Sequence, residues 1–346
     1  MSSIDLDSPY EKPLISPDAV GEEIAWEKSL RPLNLSEYIG QTAIKESLNV
    51  FLQASQQRNT PLDHILLYGP PGLGKTTLAH IIASEQGSSI KTTSGPAIVK
   101  AGDLAGLLTS LEDGDILFID EIHRLPRIVE EILYPAMEDF HLDLMVGKGP
   151  GARSIQLQLK HFTLIGATTR ASLISSPLRD RFGAVFHLNF YEPGEIEIIL
   201  ERSSSLLNIP LHKEANTIIA QRSRRTPRIA NRLLRRLRDF AQVKGEGIID
   251  ENIVEIGMNH LGIDALGLDV IDRQILEAIA NKFSGGPVGI DTLSASSGED
   301  RDTIEEMYEP FWLQMGLIDR TPRGRILTQR GYAHLGLASS PDNQLF

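Results

Sequence analysis

Ile65-Leu66-Leu67-Tyr68-Gly69-Pro70-Pro71-Gly72-Leu73-Gly74-Lys75-Thr76-Thr77 decides how this chain folds. An apolar strand feeds a loop of the form G-x-x-x-x-G-K-[ST], and a helix leaves it. The glycines let backbone N–H groups turn inward around phosphate oxygens, and the helix N-terminus adds a favourable dipole. In such a loop Gly72 and Gly74 bend the backbone, and Lys75 reaches the β- and γ-phosphates. Thr76 ligates Mg2+, and Thr77 bonds the α-phosphate. The expected ligand is ATP with Mg2+.

Ile116-Leu117-Phe118-Ile119-Asp120-Glu121 supplies the acids that such a loop needs. Four apolar residues make a central strand, and two carboxylates emerge at its C-terminal end, where parallel sheets place ligands. Asp120 is expected to hold Mg2+ through water. Glu121 is expected to orient and polarise the attacking water, because this hydrolysis rests on positioning and charge stabilisation. The neighbouring His123 reads as structural. Leu164-Ile165-Gly166-Ala167-Thr168-Thr169-Arg170 is a further strand that ends in hydroxyls. One hydroxyl is expected to sense the γ-phosphate: Thr169 first, Thr168 second, with capping of the next segment as the alternative use. Ser176-Pro177-Leu178-Arg179-Asp180-Arg181-Phe182 presents two arginines too far along the chain to pair locally with the loop. A guanidinium supplied across a subunit boundary accelerates phosphoryl transfer by roughly 10³–10⁵. Arg181 is the first candidate and Arg179 the second, against a surface ion pair with Asp180.

Outward from these motifs, short apolar runs alternate with helical stretches between about residues 30 and 190. Strands are expected at 64–68, 89–93, 116–120, 163–167 and 185–188, with helices such as 76–85 and 128–137 between them. That alternation indicates a parallel sheet covered on both faces. Beyond Pro193 the pattern becomes all-helical, with helices over 195–206, 215–222 and 227–244. Glycines at 262 and 267 introduce a third unit. Its order is a helix over 269–283, a Gly-Gly-Pro break, a short helix near Thr292, a longer one from Asp302, and a hairpin around Thr321-Pro322-Arg323-Gly324. This is the order of a winged helix. The expected division is a leader (1–25), a large α/β P-loop domain (26–191), a small helical domain (192–262) and a winged-helix head (263–346).

The chain of 346 residues carries a net charge of −12, no cysteine and nine scattered histidines. No disulfide framework or thiolate zinc site is therefore expected. No apolar run approaches the roughly 18 residues of a membrane span, and the polar, acidic start resembles neither a signal nor a transit peptide. The reading is of a soluble, cytoplasmic protein that is not held in a membrane. The average charge hides local patches: residues 1–28 are acidic, whereas 221–238 and 320–330 are rich in arginine and contain no acid. Partners respond to such patches more than to totals.

GPPGLGKTT, DEIHRL, GATTR, SPLRDRFG and TPRIANRLLRR follow one another in this sequence. In wording and order they resemble the RuvB family of bacterial Holliday-junction branch-migration ATPases, within the AAA+ class, from about Trp26 to Gly336. The resemblance implies a homo-hexameric ring around duplex DNA, RuvA holding the junction, and the RuvC resolvase in the resolving complex. It implies that Arg181 is a trans-acting arginine finger and that Arg228 is a sensor reaching ATP from the small domain. By the same resemblance Leu30, Arg31 and Tyr191 lie on the adenine side, and Glu138, Asp139 and Phe140 near the nucleotide. Arg301, Arg320 and Arg325 would contact DNA.

Residues 142–146 and 154–159 alternate in polarity around a Gly-rich centre, which is a hairpin signal. A protruding hairpin at about 141–160 resembles the RuvA-docking element. Arg320-Thr-Pro-Arg-Gly-Arg325 puts arginines on a compact turn, where they can bond successive phosphates. Two other readings compete: a nucleotide-gated DNA-binding scaffold, and a clamp-loader or helicase-loader ATPase. Loaders often carry a Cys-rich zinc insert, which this chain lacks.

Overall fold

The computed structural model describes residues 26–27, 29–146 and 153–338. The leader and the Gly-rich centre of the expected hairpin lie outside the described residues. The chain divides into two compact units. One comprises Arg31–Gly69 and Leu73–Asn189; the other comprises the described residues up to Leu30, Pro70–Gly72, and Phe190 onward.

In the first unit the strands run β1 (Ile65–Tyr68), β2 (Ile90–Ser94), β3 (Ile116–Asp120), β4 (His141–Val146), β5 (Arg153–Gln158), β6 (Thr163–Thr168) and β7 (Ala184–His187). Five of them form one parallel sheet in the order β2-β3-β6-β1-β7. The three central strands are apolar because helices cover them on both sides. Leu66, Leu67, Leu117, Phe118, Ile119, Leu164 and Ile165 have no accessible surface. Each such side chain contributes roughly 1.5–3 kcal/mol by burial. Helices Thr42–Arg58, Lys75–Gln86, Ala101–Thr109 and Arg127–Glu138 connect or flank the strands. The register of β1 sets Leu67 level with Ala167 of β6 and Phe186 of β7, so the C-terminal strand ends lie side by side. His64, counted in a strand from sequence, instead uses its ring. Its Nδ1 accepts the Leu164 N–H at 2.8 Å and its Nε2–H donates to the Met137 carbonyl at 3.0 Å. Burial lowers its pKa, with Met137 opposing, and leaves it a neutral bridge between strand and helix.

The β4–β5 hairpin is antiparallel, with Leu144 opposite Ile155. At its base Leu142 is fully buried and Leu157 packs on the core, while Ile155 is 45% exposed.

In the second unit, helices Pro193–Leu206, Lys213–Gln221, Pro227–Lys244 and Glu251–His260 pack together. Pro227 starts its helix at the position where a missing N–H costs nothing. Ala230, Leu233, Leu234, Leu237 and Ala241 then recur at helical spacing and are buried, which turns most of the interleaved arginines outward. The winged unit follows: helix Val270–Glu277 running into a π-helical turn Ala278–Lys282, then helix Ile290–Ser297, the consecutive helical segments Arg301–Thr303, Ile304–Tyr308 and Glu309–Gln314, β8 (Ile318–Thr321), β9 (Gly324–Leu327) and a closing helix Gln329–His334. Val288 pairs with Arg325 as a short third strand. A buried ion pair ties this part to the helical part: Arg224 meets Asp272, which also accepts the Trp312 indole N–H at 2.7 Å. Arg224 donates to the Gly267 carbonyl at 2.8 Å and lies over the Tyr308 and Phe311 rings. Removing one partner of such a pair costs about 3–5 kcal/mol, because the other charge is left buried.

Candidate functional site

Lys75 opens the helix that leaves the glycine loop; it is 8% exposed, and its Nζ donates to the Gly69 carbonyl at 2.7 Å. A buried ammonium in a first helical turn lies at the positive end of the helix dipole, an arrangement that favours an arriving anion. The next residue, Thr76, directs its Oγ1 at Asp120 Oδ2, 3.4 Å away at the end of β3. A hydroxyl and a carboxylate are hard oxygen donors, suited to a small divalent cation. Among the described residues no cluster of three or more acids or histidines forms a metal site by itself, so a cation here would need phosphate or water oxygens as well. Thr77 is half-buried in the same first turn. Gly74 caps the helix at φ 94°. Gly72 adopts φ +81°, and a Cβ there would stand 3.1 Å from Arg228 Cβ. The Arg228 N–H in turn donates to the Gly72 carbonyl at 3.4 Å. Arg228, the sensor arginine of the sequence reading, is thus held against Gly72, with its guanidinium 3.5 Å from Glu27.

Glu121 leaves β3 at φ 48°, an uncommon conformation for a glutamate, with its N–H donating to Asp120 Oδ1 at 3.0 Å. Holding a residue there costs on the order of 1–3 kcal/mol and aims the carboxylate away from the strand direction. Gly95 makes the turn possible, since a Cβ at that position would lie 2.3 Å from the Glu121 carbonyl oxygen. Sequence reasoning missed Gly95, because only the fold brings it against Glu121. The Glu121 carboxylate meets Arg124 at 3.3 Å. Thr168 is buried, with Oγ1 2.9 Å from His123 Nδ1 and accepting the Arg170 N–H at 2.9 Å. Its hydroxyl is engaged in local structure, and Thr169 beside it is half-buried.

Arg181 does not stand beside these groups in its set of contacts. Its guanidinium donates to Glu138 Oε2 at 3.0 Å and to the Pro177 carbonyl at 2.6 Å, and lies 4.5 Å above the Tyr134 ring. Glu138 and Asp139 are exposed. Phe140 packs on His161 and Phe162, with ring centroids 4.3 and 5.8 Å away. Both lie just before β6, at the N-terminal edge of the sheet. Phe140 thus belongs to hydrophobic packing at the sheet edge opposite its own chain's phosphate loop. Four-residue β1 puts roughly 13 Å between those edges.

On the expected adenine side, Leu30 is 5% exposed and its carbonyl accepts from Arg202 at 2.6 Å. Tyr191 is 2% exposed, and its N–H donates to the Arg225 carbonyl at 3.0 Å. Arg31 is half-buried and falls in the other unit. Residues 30–188 match the sequence model described as the Holliday junction DNA helicase RuvB P-loop domain. Residues 191–264 match the RuvB AAA lid domain, and 265–336 the RuvB C-terminal winged helix domain. The chain belongs to the RuvB family. It is 56% identical over 335 residues to the Holliday junction branch migration complex subunit RuvB of Thermomicrobium roseum, covering 97% of this chain and 95% of that protein. A structure titled the Thermotoga maritima RuvB Holliday junction branch migration motor superposes with a TM-score of 0.83 at 50% identity, over 90% of this chain and all of that one. A lysine-to-arginine mutant of the same Thermotoga protein gives 0.84, at 50% identity, over 90% and 99% of the two chains. This makes the chain a P-loop ATPase with a helical lid and a winged helix, as its motifs indicate.

Within the RuvB winged helix the three expected DNA contacts separate. Arg301 and Arg320 are 55% and 60% exposed, each with only long pairings of 3.4–3.8 Å to Asp291, Glu305 or Glu309. Arg325 is 5% exposed and donates to Glu309 at 2.7 and 3.1 Å and to Glu305 at 3.0 Å. Burial alone would lower its pKa; the bonds and charges of Glu309 and Glu305 outweigh it and raise it. Arg325 thus braces the wing against the preceding helix. Arg323, exposed at the two-residue tip, takes the outward place. Arg325 lies directly opposite Arg320 in the hairpin, so both side chains share the face that meets Glu305 and Glu309, and Arg325 is the one that helix covers.

Proposed function

We propose that this chain hydrolyses ATP to drive branch migration of Holliday junctions in recombination and repair. Thr76 faces Asp120 beside buried Lys75, with Glu121 turned out of the strand, and this arrangement carries the reading. In it Lys75 neutralises the β- and γ-phosphates and Thr76 with Asp120 holds Mg2+. Glu121 and Thr169 position the water, and Arg228 follows the phosphates through the crown of the loop. Mg2+ would supply charge neutralisation at the γ-phosphate. Arg181 acts on a neighbouring copy's nucleotide, as does Glu138 beside it, within a ring of six. The family's assembly and its cytoplasmic setting are part of the proposal: RuvA docks on the exposed face of the β4–β5 hairpin around Ile155, and RuvC joins in the resolving complex. Among the described residues no helix is long and apolar enough to cross a membrane.

The winged helix grips duplex DNA by its backbone, so binding is independent of sequence and weakens with salt. Arg320→Ala and Arg323→Ala are each expected to reduce the slope of log affinity against log salt by about 1. Arg325→Ala should act differently, losing about 3–5 kcal/mol of stability because buried Glu309 loses both of its close hydrogen bonds and keeps the 3.6 Å pairing to exposed Arg320. Salt titrations of duplex binding, with denaturation midpoints for each variant, separate the two roles. A variant at Arg325 that altered the salt slope and kept its midpoint would restore the direct-contact reading.

A labelled synthetic four-way junction tests the whole reading. With RuvA and ATP, the chain should convert the junction to duplex products, and Lys75→Ala or a non-hydrolysable nucleotide should stop it. Nucleotide-dependent junction binding without ATP turnover or product release would instead favour the nucleotide-gated scaffold.

A further inference from the structure

Arg181 sits on a platform whose parts have no other evident task. Tyr134 lies on the helix Arg127–Glu138 with its ring beneath the guanidinium, 4.5 Å from centroid to Cζ. Its hydroxyl is 3.1 Å from Ser175 Oγ and 3.3 Å from Glu130 Oε2, and Ser175 Oγ donates to the same carboxylate oxygen at 2.7 Å. Glu130 is 6% exposed. Ser175 is also the N-cap of the short helix Ser176–Arg179, which delivers Arg181. Both hydroxyls thus converge on one Glu130 oxygen and stand against each other, and this junction fixes the ring and the turn that carries the arginine relative to each other.

We propose that Tyr134, held by Glu130 and Ser175, is the positioning residue for Arg181 in phosphoryl transfer. This rests on Arg181 acting on a neighbouring copy's nucleotide. An arginine side chain is flexible, and its electrostatic value depends on being in place before charge develops. A ring under the guanidinium, a carboxylate at one end and a carbonyl at the other restrict it to one pose. The clamp leaves it functional: a guanidinium has five N–H donors, Glu138 and Pro177 take one each, and Nε has no hydrogen-bond partner. Nε is buried, so the second N–H on each Nη is what remains for a phosphate. Tyr134 touches no reacting atom on this view and acts through Arg181 alone.

The test uses mixed assemblies of full-length chains. A Glu121→Gln chain can donate its arginine and cannot hydrolyse; an Arg181→Ala chain has an intact site and no arginine to donate. Mixed on DNA, they should turn over ATP faster than the sum of the two alone. Tyr134→Leu placed in the arginine-donating chain should cut this rate by about 10-fold, the scale of a desolvated cation–π contact. The same substitution in the Arg181→Ala chain should leave the rate within about twofold. Tyr134→Phe in the donor, which keeps the ring, should retain most of it and shows that the effect is not a failure to fold. Equal loss from either chain, or no loss from the donor, overturns the assignment of Tyr134. If the unmodified mixture does no better than its parts while each parent chain is inactive, the trans role of Arg181 itself fails, and the positioning role falls with it.

Discussion

Replacing Arg181 with alanine is expected to lower DNA-stimulated ATP turnover by about 10³-fold or more while leaving nucleotide affinity within an order of magnitude. The size follows from where the charge acts: an arginine finger neutralises charge that develops on the transferring phosphoryl group, worth roughly 10³–10⁵ in rate. The structure supports its availability, since Arg181 is anchored to its own chain by Glu138 and Pro177 and stacked on Tyr134. Stability should fall little, because Glu138 is exposed and needs no partner. The decisive form of the measurement mixes variant and wild-type chains at fixed total concentration. In a six-membered ring whose sites depend on one another, one variant chain in five should leave about a quarter of the activity. Independent chains would leave about four fifths. A linear decline would mean that each chain works alone, and the reading would retreat to an ATP-hydrolysing DNA-binding protein of unknown assembly.

What the sequence disclosed and what it withheld divide along physical lines. The central strands were legible to within a residue, because burial on both faces leaves an unbroken apolar run. The meeting of Thr76 with Asp120 was legible because the motifs put one at the start of the helix after β1 and the other at the end of β3, and parallel register brings those ends together. Helix Thr42–Arg58 was not delimited: it is rich in glutamine, serine and asparagine, and only Ile44, Leu48, Leu52 and Ser55 are buried. Helices Glu251–His260 and Gln329–His334 were also missed, being short and bounded by turns. Arg325 and Phe140 show a deeper limit. An arginine in a basic run and a phenylalanine beside two acids look available, and only the three-dimensional neighbours reveal that Glu305 and Glu309 cover one and His161 and Phe162 cover the other. Motifs locate chemistry that lies close in sequence; exposure depends on residues far along the chain.

Glu121→Gln should produce the cleanest separation of binding from chemistry in this protein. The amide keeps the size and the strained φ of 48° that Gly95 accommodates, so the backbone at the end of β3 need not move. It loses the negative charge that polarises the attacking water, a contribution of about 10²–10⁴ for a positioned base. Lys75, Thr76 and Asp120 are untouched, so ATP should bind as in the wild type and remain on the protein through gel filtration, whereas wild type should carry the diphosphate. The ion pair to Arg124 is lost as well, but both side chains are substantially exposed, 39% and 46%, and such pairs carry little stability. An unchanged unfolding midpoint together with trapped ATP would place the whole effect on the chemical step. Wild-type turnover in the amide variant would remove Glu121 from that role and pass it to another group at the strand ends, with Thr169 the first to examine.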